Sequence, residues 1–182
     1  MKIIAQKLSF FLLGISLLLS NAPLLNAASS LEEQTVLAAL ALNIVRFTTW
    51  PPDAQAQMKN SIAFCVVGDN VVQDSFATID NKAVGDKTLH VINLSRLRNF
   101  EQCQVLYITE LKQNVLLQVF LEIKKHPLLT IGEGYDFAAQ GGMVGLENVD
   151  GKINLNVNLP MVRESNLSIG ARLLKLAKII GS

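Results

Sequence analysis

Four short apolar runs in a regular rhythm constrain this chain most. Ser61–Val67 (SIAFCVV), Thr88–Asn93 (TLHVIN), Gln104–Thr109 (QVLYIT) and Leu128–Ile131 (LLTI) are strand-length and rich in strand formers. Val71–Ile79 reads as a short helix between the first two. Leu111–Lys125 reads as an amphipathic helix between the last two, stopped by His126-Pro127. Strand, helix, strand at such spacing predicts a mainly parallel sheet with helices on both faces, a three-layer α/β fold.

The flanks fit around that sheet. Val36, Leu37, Leu40, Ala41, Ile44 and Phe47 recur at helical spacing, so Leu31–Thr49 is expected as a helix, with Glu32 and Glu33 in its first turn. Arg46 is the one charge in its body, which predicts broad burial, and Trp50-Pro51-Pro52 ends it. The segment from Asn81 to Gly85 reads as a loop, and Arg96–Glu101 as a single helical turn. Gly142–Asn148 and Lys152–Asn158 flank Val149-Asp150-Gly151, a hairpin signal. This antiparallel hairpin is expected at the C-terminal sheet edge, with Asn154, Asn156 and Asn158 on a wet face. Met161–Asn166 and Ser168–Ile180 read as closing helices, the second capped by Ser168. No linker or repeat divides the chain.

The beginning has another character. Lys2 and Lys7 precede an apolar stretch, Leu8–Leu19 (LSFFLLGISLLL), and small residues follow around Ala27 and Ala28. This is the three-part pattern of an export signal over residues 1–28, leaving 29–182 as one domain. The stretch is shorter than the roughly 20 residues that span a bilayer. An uncleaved anchor is the alternative, and no Cys follows to carry a lipid. Export takes away two of the 16 basic residues and none of the 15 acidic ones. The near-neutral remainder gives no electrostatic reason to bind nucleic acid or an anionic membrane. No later segment is apolar over the length a membrane span needs.

Chemistry-bearing motifs are sparse. There is no GxSxG, HExxH or P-loop. Gly132-Glu133-Gly134 lacks the third glycine of a dinucleotide fingerprint, since Phe137 stands there. Gly68 and Asp69, with Gly132 and Gly134, mark candidate ligand loops where open α/β sheets bind; plain turns are the alternative. His90 and His126 have no metal-ligand spacing to the cysteines, so no metal or cofactor is expected. Cys65 and Cys103 are an even pair in an exported chain, which favours a disulfide over two buried thiols. Arg172, Lys175 and Lys178 would line one side of the last helix as a solvated basic edge. These features favour a binding or regulatory domain over an enzyme.

The order of several segments has a family likeness. These are NIVRFTTWP (43–51), IAFCVVGD (62–69), CQVLYI (103–108), LTI (129–131) followed by Phe137-Ala138, GGMV (141–144), INLNVNL (153–159) and ARLLKLA (171–177). Together they resemble the YfiR-like family (DUF4154) over about Val36 to Ala177. The resemblance implies a periplasmic repressor that binds the periplasmic domain of an inner-membrane diguanylate cyclase and so lowers cyclic di-GMP and biofilm formation. It also implies possible sequestration by an outer-membrane lipoprotein, a homodimer, and redox sensing through disulfides. Cys65 and Cys103 match a family cysteine pair; a further pair found in other members is absent. Arg46, Phe47, Trp50 and Pro51 are the candidate interface, with a core role for Trp50 as the alternative. A small-molecule binder feeding another membrane system is the second functional reading. A flavodoxin-like strand order, 2-1-3-4-5, would set the first and third strands side by side and bring the two cysteines within bridging range.

Overall fold

The computed structural model describes residues 23–109, 111–124, 126–134 and 136–181, with side chains from residue 30 onward. The apolar stretch Leu8–Leu19 of the expected export signal lies outside the described residues. The described chain runs α1 (Pro23–Arg46), β1 (Thr48–Thr49), α2 (Pro52–Met58), β2 (Ser61–Val67), α3 (Asn70–Ala77), β3 (Ala83–Val84) and β4 (Lys87–Asn93). A 3₁₀ turn at Phe100–Gln102 leads to β5 (Val105–Ile108), α4 (Gln113–Ile123), β6 (Leu129–Glu133), β7 (Val144–Val149) and β8 (Lys152–Asn158). The chain closes with α5 (Leu159–Glu164), β9 (Ser168–Ile169), α6 (Ala171–Leu174) and β10 (Ala177–Ile180).

The main sheet has the order β10-β8-β7-β6-β5-β2-β4-β3. The four strands read from the apolar runs are parallel neighbours in the order expected of them, because each α-helical crossover returns the chain in the same direction. β7 and β8 form the expected hairpin, with Asp150 and Gly151 both at positive φ (52° and 78°). Those angles are what a tight two-residue turn between twisted strands requires.

Two apolar layers lie against the sheet. On one face Phe64, Phe76 and Tyr107 pack together, with Phe76 and Tyr107 ring centres 4.1 Å apart, and α1 and α3 cover them. On the other face Cys65, Phe100, Cys103, Leu106 and Leu116 form a smaller cluster under α4.

Several expectations change at the ends. α1 begins at Pro23, so Glu32 and Glu33 sit in its body. It stops at Arg46 because Thr48 and Thr49 pair antiparallel with Ile169 and Ser168. Only one stripe is buried; Val36 is 48% exposed. Trp50-Pro51-Pro52 does not end α1; it starts the next helix, with Pro52 in the first turn of α2, where its missing N–H costs nothing. Ala83–Val84 is a strand rather than loop.

The closing long helix is absent. Gly170 precedes only the four-residue α6, and Ala177–Ile180 pairs parallel with β8 instead. Lys178 therefore lies on a strand, and the basic stripe is not one helix face. β10 also makes β8 an internal strand, which explains why Asn156 and Asn158 are buried rather than wet. Asn158 Nδ2 donates to Ala138 O at 2.8 Å, and its Oδ1 accepts from Met161 N as the cap of α5. At the far margin, Asp80 Oδ1 accepts from Val91 N at 2.9 Å, and Asn81 and Lys82 bond to Leu89, so β4 is overlaid by its own chain.

Candidate functional site

The carboxyl ends of β2, β5 and β6 open into a crevice of about 590 Å³. Its position follows from the topology. β2 leads through α3, on the α1 face, towards β4; β5 leads through α4, on the opposite face, towards β6. Loops that diverge to opposite faces leave a gap between them.

Gly68 and Asp69 line the crevice. Gly68 is needed there, because a Cβ would stand 2.7 Å from Val72 Cγ1 and 3.1 Å from Thr109 Cγ2. Asp69 caps α3 by accepting from Val72 N at 3.1 Å, and Gln73 Nε2 donates to Gly68 O at 2.9 Å. The loop is thus fixed from both sides. Gly132 and Gly134 are not among the lining residues. Gly132 lies under the Phe137 ring, 2.3 Å from where its Cβ would be, and Gly134 makes a turn with φ 96°.

The residue between those glycines does reach the crevice. Glu133 lies at the end of β6, where it accepts from the Tyr107 hydroxyl at 3.0 Å and from Gln34 Nε2 at 3.2 and 3.3 Å. Burial, reinforced by the Glu133 carboxylate, pushes the Tyr107 hydroxyl far above its ordinary pKa, so it stays a neutral donor. Gln34 Oε1 is buried without a hydrogen-bond partner. Sequence reading missed Glu133 and Gln34. The available signal was an acid at the end of a largely apolar central strand.

The candidate interface residues gather at the C-terminal end of α1. The Arg46 guanidinium donates to Ala83 O at 3.2 and 3.3 Å and to Asn43 Oδ1 at 3.3 Å. Phe47 is 38% exposed while its carbonyl accepts from Gly170 N at 2.8 Å. Trp50 is 5% exposed and sits in the core, its Nε1 without a partner. The surface of this corner is therefore Arg46, Phe47 and the half-buried Pro51, supported from below by Trp50.

Cys65 and Cys103 form a disulfide with a Cα separation of 5.8 Å. It ties β2 to the segment entering β5 and is buried in the α4-side cluster. On that same face a groove of about 310 Å³ runs beside α4, where Leu117 and Leu121 are exposed and Lys124 pairs with Glu164 at 3.2 Å.

Among the described residues, no cluster of three or more acids, histidines or cysteines could hold a metal, and no helix is long and apolar enough to cross a membrane. No curated protein matches the chain. A family model described as YfiR/HmsC-like matches residues 34–178.

Proposed function

Because the chain belongs to the YfiR/HmsC-like family, a family of periplasmic regulators of cyclic di-GMP signalling, we propose that it represses an inner-membrane diguanylate cyclase. Residues 1–28 direct export and are removed; 29–182 work as one domain in the periplasm. The protein binds the periplasmic domain of the cyclase and holds it inactive, which lowers cyclic di-GMP and biofilm formation. An outer-membrane lipoprotein that competes for it would relieve the repression. The repressor acts as a homodimer and by contact, not by catalysis.

The family match over 34–178 carries this reading. The corner at the end of α1 supports it as the contact surface. Phe47 offers apolar area to a partner, and Arg46 and Pro51 flank it on backbone held rigid by β1–β9 pairing. Rigid, partly apolar corners lose little entropy on docking. The test is cyclic di-GMP measured in cells lacking the gene and in cells complemented with it. Loss should raise the level and complementation restore it. An unchanged level on deletion overturns the reading.

A further inference from the structure

We propose that a cavity at the end of α1, apart from the crevice at the carboxyl ends of the strands, binds a small organic monocarboxylate. The inference concerns this cavity alone and does not need the repressor reading to hold.

The cavity measures about 200 Å³ and lies between the α1–α2 junction, β2 and the β3–β4 turn. Trp50 lines it, and the indole Nε1 is buried without a hydrogen-bond partner among the described residues. An indole N–H can only donate. Buried polar groups in folded proteins are nearly always paired, so an orphaned donor on a cavity wall calls for an acceptor from outside the chain.

Charge decides which acceptor. Arg46 lines the same cavity. Three of its five N–H donors go to Ala83 O and Asn43 Oδ1, both uncharged. Two donors and the positive charge remain for a ligand. Lys87, also in the lining, gives one of its three donors to Lys59 O, again an uncharged acceptor. Neither cation forms an ion pair among the described residues. Asp86 is exposed and is the one acid in the described lining. Two cations against one acid favour a monoanion over a dianion.

Shape decides the rest of the ligand. The guanidinium fork matches the two oxygens of a carboxylate. Met58, Ile62 and Val84 form an apolar wall, suited to an aliphatic body rather than to an inorganic ion. The volume keeps that body short, since an apolar cavity of about 150 Å³ is filled by a molecule the size of benzene.

Trp50 is the only tryptophan in the chain, so its indole N–H gives one NMR resonance that reports on the site directly. The purified, disulfide-bonded protein, residues 29–182, is titrated at constant ionic strength with n-butyrate, and separately with n-butylammonium, n-butanol and inorganic phosphate. Butyrate should move the indole resonance saturably, while the other three leave it in place. Arg46→Gln removes the charge from an exposed position and should weaken butyrate binding by roughly tenfold or more. Trp50→Phe, followed through the backbone amides of Thr49 and Gly85, should weaken it in the same direction. Lys112→Gln at the start of α4, on the opposite face of the sheet, should change nothing. No saturable shift from butyrate, an equal shift from any of the other three probes, or wild-type affinity in Arg46→Gln would overturn the proposal. These outcomes are independent of any change in cellular cyclic di-GMP, so failure of one reading is separable from failure of the other.

Discussion

Cys65 on β2 and Cys103, two residues before the neighbouring parallel strand β5, are bridged at the middle of the sheet, 38 residues apart in sequence and both buried. A link across that loop removes much chain entropy from the unfolded state. Replacing both cysteines with alanine should cost about 3–4 kcal/mol, read as a lower urea midpoint. An unchanged midpoint would show that the bridge constrains nothing that folding does not already fix. Intact mass of the exported protein should lie about 2 Da below that of the reduced form, since forming the bridge removes two hydrogens.

The Tyr107 hydroxyl gives stability an alkaline limit. In the native state its pKa is raised by burial first and then by Glu133, while the unfolded side chain ionises near 10.0. The folded pKa is the higher one, so this contribution is complete below pH 10.0 and declines as pH rises above it. Tyr107→Phe should flatten that alkaline fall. At neutral pH it should cost about 1 kcal/mol, because Glu133 loses a donor. Denaturation midpoints at neutral and alkaline pH for both proteins check this. An equally steep fall in the variant would assign the limit to another group.

The sheet centre was legible because it depends on local pattern. IAFCVV (62–67) and VLYI (105–108) are almost wholly apolar, as strands buried on both faces must be, and Asp150-Gly151 supplies the positive φ its turn needs. What was not legible depends on partners distant in sequence. Leu173, Leu174 and Ala177 recur at helical spacing, yet pairing with Leu155–Asn158 draws Ala177–Ile180 into a strand. The same pairing buries Asn156. Of the crevice, Gly68 and Asp69 were visible as a turn after a strand. Glu133 and Gln34 meet across 99 residues, and no local spacing announces such a contact.

Phe137 rests on two glycines. A Cβ on Gly132 would stand 2.3 Å from its ring, and one on Gly142 would stand 2.2 Å away. Gly132→Ala should therefore destabilise by about 1–3 kcal/mol through overpacking. Adding Phe137→Leu should give back part of the loss, so the double variant is more stable than the sum of the two changes. Strict additivity in thermal denaturation would place the strain elsewhere.

Trp50 separates shape from polarity. Its indole is buried but Nε1 bonds to nothing. Trp50→Phe removes that unpaired donor along with some volume, and should stay within about 1 kcal/mol of wild type. Trp50→Ala should cost about 3–5 kcal/mol. If Phe costs as much as Ala in chemical denaturation, the N–H contributes and the account fails.

Phe47 tests the contact surface. Being 38% exposed at the end of α1, it should tolerate Phe47→Glu with a stability change under about 1 kcal/mol. The same variant should raise cyclic di-GMP in cells towards the level of the deletion. Full repression by a stably folded variant would move the contact to another face.

Asp80 and its neighbours cover one margin of the sheet with hydrogen bonds from the chain itself. A molecule that stacks edge to edge into a fibre must offer two open margins, one for each neighbour. Beyond β4 this sheet has only the two-residue β3 (Ala83–Val84) as its outer strand, against the four residues of β10 at the other margin. Strand-to-strand association between copies would have two residues to pair through at the β3 margin and four at the β10 margin, so the β10 edge is the longer template.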